Sequence, residues 1–185
     1  MSGSPGPADA RFVVCHDGVV TDDDLTHDDR AKDDPARDDP ARVVAPRDGL
    51  TQDDLAHVRT MWADDAASRG LGMEASVVEL DHAVVRMTVT DAMVNGHDIA
   101  HGGFIFTLAD STFALACNSR GQLTVAAGAD ISFVAAAHRG DVLVAEGRVR
   151  AAYGRSGITD VTVTRESDGA LVAEFRGRSR SLPPR

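Results

Sequence analysis

Phe104-Ile105-Phe106-Thr107-Leu108-Ala109-Asp110-Ser111-Thr112-Phe113-Ala114-Leu115-Ala116-Cys117-Asn118 is the stretch on which the fold turns. Ten of these fifteen residues are Phe, Ile, Leu, Ala or Cys, so the apolar character runs almost all round. A helix of that kind has to be buried on nearly every side. Gly102-Gly103 precedes it and marks where the helix begins.

Outside this stretch the hydrophobic period changes from helical to alternating. Ala83, Val85, Met87 and Val89 lie on one face of residues 82–89, with His82, Arg86 and Thr88 on the other. That alternation predicts a strand. Downstream, Leu123, Val125, Ala127, Ala129, Ile131 and Phe133 share one parity, and Val161 and Val163 oppose Thr162 and Thr164. Leu171, Ala173 and Phe175 alternate with Glu174, Arg176 and Arg178. Residues 141–152 are also strand-like, bounded by the turn sequences His138-Arg139-Gly140-Asp141 and Tyr153-Gly154-Arg155-Ser156-Gly157. Strands joined by such short connections pair antiparallel.

Upstream, the Thr51 hydroxyl and Asp54 three residues later form a capping-box pattern. Leu55, Val58 and Trp62 follow at helical spacing, and Gly70 offers a stop. The predicted order is helix, strand, buried helix, four strands. This is an α+β fold in which an antiparallel sheet wraps the buried helix.

The chain has 185 residues and a formal charge of -10, from 29 acidic and 19 basic groups. Residues 1–48 hold twelve Asp, no Glu and six Lys plus Arg, and so carry -6 of it. They include Asp22-Asp23-Asp24, Asp28-Asp29 and the tandem Asp33-Asp34-Pro35-Ala36-Arg37, Asp38-Asp39-Pro40-Ala41-Arg42. Pro and like charge at this density cannot bury enough apolar surface to offset chain entropy, so this N-terminal extension is expected to be disordered. The remaining domain, residues 49–182, falls within the roughly 100–200 residues usual for one domain. No window offers the basic stripe that phosphate neutralisation requires, which excludes nucleic acid as a partner. No apolar run reaches the roughly 20 residues of a membrane span. Met1 to Pro7 lacks the basic and apolar regions of a signal peptide, and two cysteines make no disulfide framework. A cytoplasmic location is expected. Aromatic residues are only 4%, so the core must be built mainly from Val, Ala, Leu and Ile.

Chemistry concentrates in Asn95-Gly96-His97-Asp98-Ile99-Ala100-His101-Gly102-Gly103 and in Asp110. An unpaired carboxylate among Phe106, Leu108, Ala109, Phe113 and Ala114 costs several kcal/mol of desolvation. It faces either a polar partner or a functional cavity. Gly102 and Gly103 stand at a helix start, where N–H groups lack intrahelical acceptors and the missing side chains admit a ligand to the backbone. Bare amides there can hold an anion or a developing oxyanion. Asp110 lies eight residues past Gly102, about 12 Å along a helix, too far for both to reach one carbon. If both serve one reaction they come from different subunits, as in an isologous dimer with antiparallel helices.

Two other readings of this region are weak. His97 and His101 have the spacing of a helical metal pair, but Gly102-Gly103 argues against a continuing helix and no third ligand is evident, so no metal is assigned. Cys117 lies in an apolar run with no basic neighbour to lower its pKa, which suits a packing residue rather than a nucleophile.

The stretch Asn95-Gly96-His97, His101-Gly102-Gly103, Phe106, Leu108-Ala109-Asp110, Phe113-Ala114 and Ala116-Cys117-Asn118-Ser119 resembles the hotdog-fold acyl-CoA thioesterases of the phenylacetate-pathway (PaaI) type. The match is dense over residues 95–119, looser over about 53–180, and leaves out the acidic extension. The resemblance implies a long helix wrapped by a curved antiparallel sheet, homodimers with composite sites, and homotetramers made of two dimers. It implies hydrolysis of an acyl-CoA such as (hydroxy)phenylacetyl-CoA in phenylacetate catabolism, without a cofactor. Asp110 would be the catalytic carboxylate, acting as general base or as nucleophile through an anhydride. Gly102 N–H would polarise the thioester carbonyl, Asn95 would orient the thioester or water, and His101 would shape the turn.

One departure affects the substrate contacts. Such proteins often carry an Arg-Pro or similar turn after the position of Phe133, where this chain has Val134-Ala135-Ala136-Ala137-His138-Arg139-Gly140-Asp141. Arg139, Arg155 and Ser156, in turns between strands, are then the candidates for the CoA phosphates, with Gly103 near the thioester. The alternatives are a hotdog hydratase or dehydratase, in which His101 and Asp110 would be the acid–base pair, and a non-catalytic acyl-CoA sensor. No DNA-binding helix-turn-helix pattern accompanies a sensor reading.

Overall fold

The computed structural model describes residues 55–183. The Thr51–Asp54 capping box, the acidic extension and the domain boundary at residue 49 lie outside the described residues. Two short helices, α1 (Ala56–Asp64) and α2 (Ala66–Gly70), lead into strands β1 (Glu74–Glu79) and β2 (His82–Thr88). The long helix α3 (Gly102–Asn118) follows, then β3 (Thr124–Phe133), β4 (Val142–Tyr153), β5 (Ser156–Arg165) and β6 (Leu171–Ser181). The six strands form one antiparallel sheet in the order β1-β2-β4-β5-β6-β3.

Helix α3 lies across the inner face of this sheet, against β2, β4 and β5 above all. Leu108, Ala109, Phe113, Leu115 and Ala116 are fully buried there, as the apolar run required. They meet Val85, Met87, Leu143, Ala145, Val161, Val163 and Phe175 from the strands. Burial of a side chain of this size contributes about 1.5–3 kcal/mol, so the helix–sheet face supplies most of the core. At Gly177 on β6 the sheet backbone comes close to a ring of the helix. A Cβ there would lie 2.5 Å from Cδ2 of the buried Phe113, so only glycine leaves room for the ring.

The structure differs from the sequence reading at three places. The predicted single helix over residues 55–70 is broken at Asp65, whose carboxylate accepts from the Ser68 N–H at 3.0 Å and Ser68 hydroxyl at 2.6 Å, capping a second helix. Strand β1 had not been predicted. Its register shifts between Ala75 and Val77, so the extra residue Ser76 destroys the alternation by which a strand is recognised.

The third difference concerns the single parity read over residues 123–133. Ala126 pairs with Ser179 and Gly128 with Arg178, so Ala127 is a bulge. Beyond it, Ala129, Ile131 and Phe133 stand on the helix side, opposite Gly177, Phe175 and Ala173. Val125, before it, pairs with Arg180 and shares the outer, charged face.

Candidate active site

The loop before α3 is held by its own backbone. Val94 and Ala100 form a bridge, Asn95 N–H donates to the Ile99 carbonyl at 2.8 Å, and Asp98 N–H donates to the Asn95 carbonyl at 3.0 Å. Asn95 Oδ1 accepts from His97 N–H at 2.9 Å, an Asx turn that fixes the loop's entry. Asp98 takes a left-handed conformation at φ 59°, which an Asp tolerates at little cost. Ala100 N–H donates to the Ala137 carbonyl at 2.8 Å, tying the loop to the segment after β3.

His101 is the N-cap of α3. Its backbone N–H donates to the Met93 carbonyl at 2.8 Å, and its Nδ1 accepts from Gly103 N–H at 3.1 Å. An accepting Nδ1 places the ring proton on Nε2. Phe104 N–H donates to the His101 carbonyl at 3.0 Å. Two of the first N–H groups of the helix are thereby satisfied, and Gly102 N–H has no acceptor among the described residues. The edge of the Phe133 ring stands over Gly102, where a Cβ would lie 2.9 Å from its Cζ. Sequence reading did not connect these two residues, which are far apart along the chain and carry no shared motif.

Asp110 is half-buried on α3, two turns beyond the Gly102 end. Two further turns along the same face is Cys117. Burial first, and the Asp110 charge second, push the Cys117 thiol up to about 12. A thiol held neutral in this way is no nucleophile at neutral pH.

The other predicted residues divide between the two ends of the sheet. Arg139 lies beside the Asn95 loop, with Nε 2.9 Å from Asp91 and Nη2 3.1 Å from Asp98, so its guanidinium braces that loop. Arg155 lies in the β4–β5 turn and Ser156 opens β5. Ser156 pairs with Arg180, and Ser181 with Thr124 at the start of β3, near the C-terminus of α3. Gly102 is instead beside Phe133 at the other end of β3. One chain therefore brings Asn95, His101, Gly102, Gly103 and Arg139 together, and holds Arg155 and Ser156 apart from them.

A glycine-started helix, an orienting His cap and a carboxylate farther along the helix suit activation of a carbonyl and attack on it. Residues 97–172 match the profile of the thioesterase superfamily. The acyl-coenzyme A thioesterase PaaI of Escherichia coli K12 is 38% identical over 126 residues, which cover 68% of this chain and 89% of that protein. The chain belongs to the hotdog-fold acyl-CoA thioesterases of the PaaI type. Its fold agrees: the structure of the Escherichia coli PaaI protein from the phenylacetic acid degradation operon matches with a TM-score of 0.70 and 36% identity, over 73% of this chain and 97% of that one. A hypothetical thioesterase from Streptococcus pneumoniae, solved with coenzyme A, matches at TM-score 0.58 and 26% identity, over 61% of this chain and 88% of that one. This thioesterase is thus a thioester hydrolase. Among its described residues no helix is long and apolar enough to cross a membrane.

Proposed function

We propose that this thioesterase hydrolyses an aryl-acetyl-CoA, such as phenylacetyl-CoA or hydroxyphenylacetyl-CoA, to the free acid and CoA at a site shared between two subunits. The observation that carries the reading is the division of labour at the start of α3. His101 Nδ1 takes up Gly103 N–H and leaves Gly102 N–H to polarise a thioester carbonyl. A preorganised N–H of this kind stabilises the oxyanion that forms on attack. Asp110 is the carboxylate, acting on water as general base or attacking the carbonyl itself to give an anhydride that water then opens. Asn95 helps to orient the thioester or the water.

About 12 Å of helix separates Gly102 from Asp110, so the pair that acts on one carbonyl is Gly102 of one chain and Asp110 of a second. The edge strand β3 supports that arrangement. Among the described residues it is unpaired on its outer side, and Leu123, Val125, Phe133 and Val134 on or beside it are exposed. An isologous dimer through this edge covers them and brings two antiparallel helices side by side. Two such dimers form a tetramer in this reading.

The test follows free thiol released from phenylacetyl-CoA and hydroxyphenylacetyl-CoA, with short and long aliphatic esters as comparators. Aryl-acetyl esters should have the highest kcat/KM. Asp110→Asn should lose activity by 100-fold or more, the range of a lost catalytic proton-transfer group. Undiminished turnover in that variant would remove Asp110 from the mechanism. Mixing inactive Asp110→Asn and Gly102→Pro chains under conditions of subunit exchange should restore part of the activity, and a complete failure would remove the shared site.

A further inference from the structure

The 95–101 loop, which sets His101 and the start of α3, rests on the segment 134–141 between β3 and β4. Ala100 N–H donates to the Ala137 carbonyl at 2.8 Å, and His138 Nδ1 stands 3.4 Å from the Asp98 carbonyl. The segment is neither helix nor strand, so its position depends on what holds it from the sheet. Val134 N–H ties its near end to the Val172 carbonyl at 2.8 Å, and Gly140 N–H ties its far end to the Val89 carbonyl at 2.9 Å. Between these ties, the Ala136 carbonyl meets no backbone N–H among the described residues. It accepts instead from Nη1 of Arg165, the last residue of β5, at 3.2 Å.

The geometry of Arg165 suits this hold. Its Nε and Nη2 donate to the two oxygens of Asp168, at 3.0 and 2.8 Å, which keeps the guanidinium plane in one orientation. Nη1 is thereby aimed at Ala136, and it also lies 3.5 Å from Asp141 Oδ2, the oxygen that accepts from His138 N–H at 2.8 Å. One planar fork therefore grips the segment on both sides of Ala137, whose carbonyl carries the loop. Arg139 reaches the loop as well, but its side chain is 54% exposed and those of its partners Asp91 and Asp98 are 81% and 79% exposed. Ion pairs so open to water contribute little. Arg165 and Asp141 are only 20% and 22% exposed, so water competes less for their bonds.

We infer that Arg165 is a positioning residue of this thioesterase: through Ala136, Asp141 and the Ala137–Ala100 bond it sets where His101 and the Gly102 N–H stand. The inference deepens the proposed oxyanion role of Gly102 and rests on it. Arg165 acts through the backbone alone, so its loss lowers the rate of the chemical step and spares substrate binding. No sequence motif singles it out, because the segment it holds lies about thirty residues upstream and the loop that segment carries lies farther still.

The experiment compares wild type with Arg165→Met, Arg165→Lys and Arg120→Met on the acyl-CoA ester that wild type hydrolyses fastest, well below the melting temperature of each variant. Arg120 is the control for stability: at the other end of α3 it holds Asp81 with a comparably buried fork, at 2.7 and 2.6 Å. A misplacement of about 1 Å at a reacting group can cost on the order of 100-fold in rate, so a fraction of that shift predicts a kcat about tenfold lower in Arg165→Met, with KM within about twofold of wild type. Arg165→Lys, which keeps a charged donor and loses the fork, should recover part of the loss, and Arg120→Met should keep the wild-type kcat. Hydrogen exchange of the peptide 95–103, followed by mass spectrometry, reads the loop independently of turnover and should quicken in Arg165→Met but not in Arg120→Met. Should Arg165→Met fail to fold, Arg165→Lys carries the same comparison. Unchanged kcat or unchanged exchange overturns the inference, as does a kcat loss that Arg120→Met reproduces, or a raised KM with kcat retained. If Gly102→Pro keeps full turnover, the oxyanion reading fails on its own, and a lower kcat with quicker exchange in Arg165→Met still upholds Arg165 as the residue that positions the loop.

Discussion

The ring of Phe133 occupies the space that a side chain at Gly102 would need, with a Cβ there only 2.9 Å from Phe133 Cζ. The contact joins the end of β3 to the first residue of α3, beside the N–H that we propose polarises the thioester carbonyl. Two opposing terms follow for Gly102→Ala. Alanine gains up to about 1 kcal/mol of helix propensity over glycine, while the clash costs on the order of 1–3 kcal/mol unless the ring moves. Gly102→Ala should therefore lower the melting temperature in the wild-type background and raise it in a Phe133→Ala background. A thermal double-mutant cycle measures this reversal, and the same effect in both backgrounds would show that the ring does not restrict the position.

Most of the fold was legible because its signals are local. The ten apolar residues of 104–118 require a buried helix, and Ala83, Val85, Met87 and Val89 are all buried on the face that alternation gave them. What was not legible depends on single extra residues or on distant contacts. Ser76 and Ala127 are bulges that turn the side-chain parity over, so β1 was hidden and Val125 was grouped with Phe133 on one face. Asp65 caps α2 from inside an apparently continuous helical pattern. In the candidate site, His101, Gly102 and Gly103 could be read from their run. The bracing of Asp91 and Asp98 by Arg139, and the pairing of Arg180 with Ser156, arise only when strands and loops meet.

Asn118 links the end of α3 to the start of the edge strand. Its Oδ1 accepts from Thr124 N–H at 2.9 Å, and its Nδ2 donates to the Thr124 carbonyl at 2.9 Å and the Ala114 carbonyl at 3.0 Å. The side chain is buried, 1% exposed, so its removal leaves those backbone groups without water to replace it. Asn118→Leu should destabilise the protein by about 2 kcal/mol, the usual cost of stranding buried polar groups. Asn118→Asp, which keeps the acceptor but loses the donor, should also destabilise it. Urea unfolding gives both values, and a loss below about 0.5 kcal/mol for the Leu variant would mean that Thr124 finds other partners.

Acid stability should depend on the β5–β6 turn. Arg165 donates to both oxygens of Asp168, at 3.0 and 2.8 Å, and holds that carboxyl down at about 2, with help from Ala170 N–H. An unfolded Asp titrates near about 3.9, so the folded state favours the carboxylate. The stabilisation is present above about pH 4 and disappears as the pH falls toward 2. Asp168→Asn should accordingly melt below wild type at pH 5 and converge with it by about pH 2. Melting curves across that range decide the matter, and a gap that does not narrow on acidification would exclude Asp168 as its source.

Cys117 gives the clearest readout of the environment that Asp110 shares. It is only 8% exposed, and burial, with the Asp110 charge as the second cause, raises its thiol to about 12. Under native conditions at pH 8 the Cys117 peptide should therefore resist iodoacetamide and become labelled on denaturation, as followed by mass spectrometry. Because burial is the larger cause, Asp110→Asn should leave the native thiol resistant, and rapid native labelling of that variant would reverse the order of the two causes. The sign for stability follows from the same shift. An unfolded thiol ionises near about 8.5, so folding is favoured below that pH and loses stability as the pH rises toward 12. Cys117→Ser cannot ionise in this range, so its stability should fall less steeply than that of wild type between pH 8 and 10.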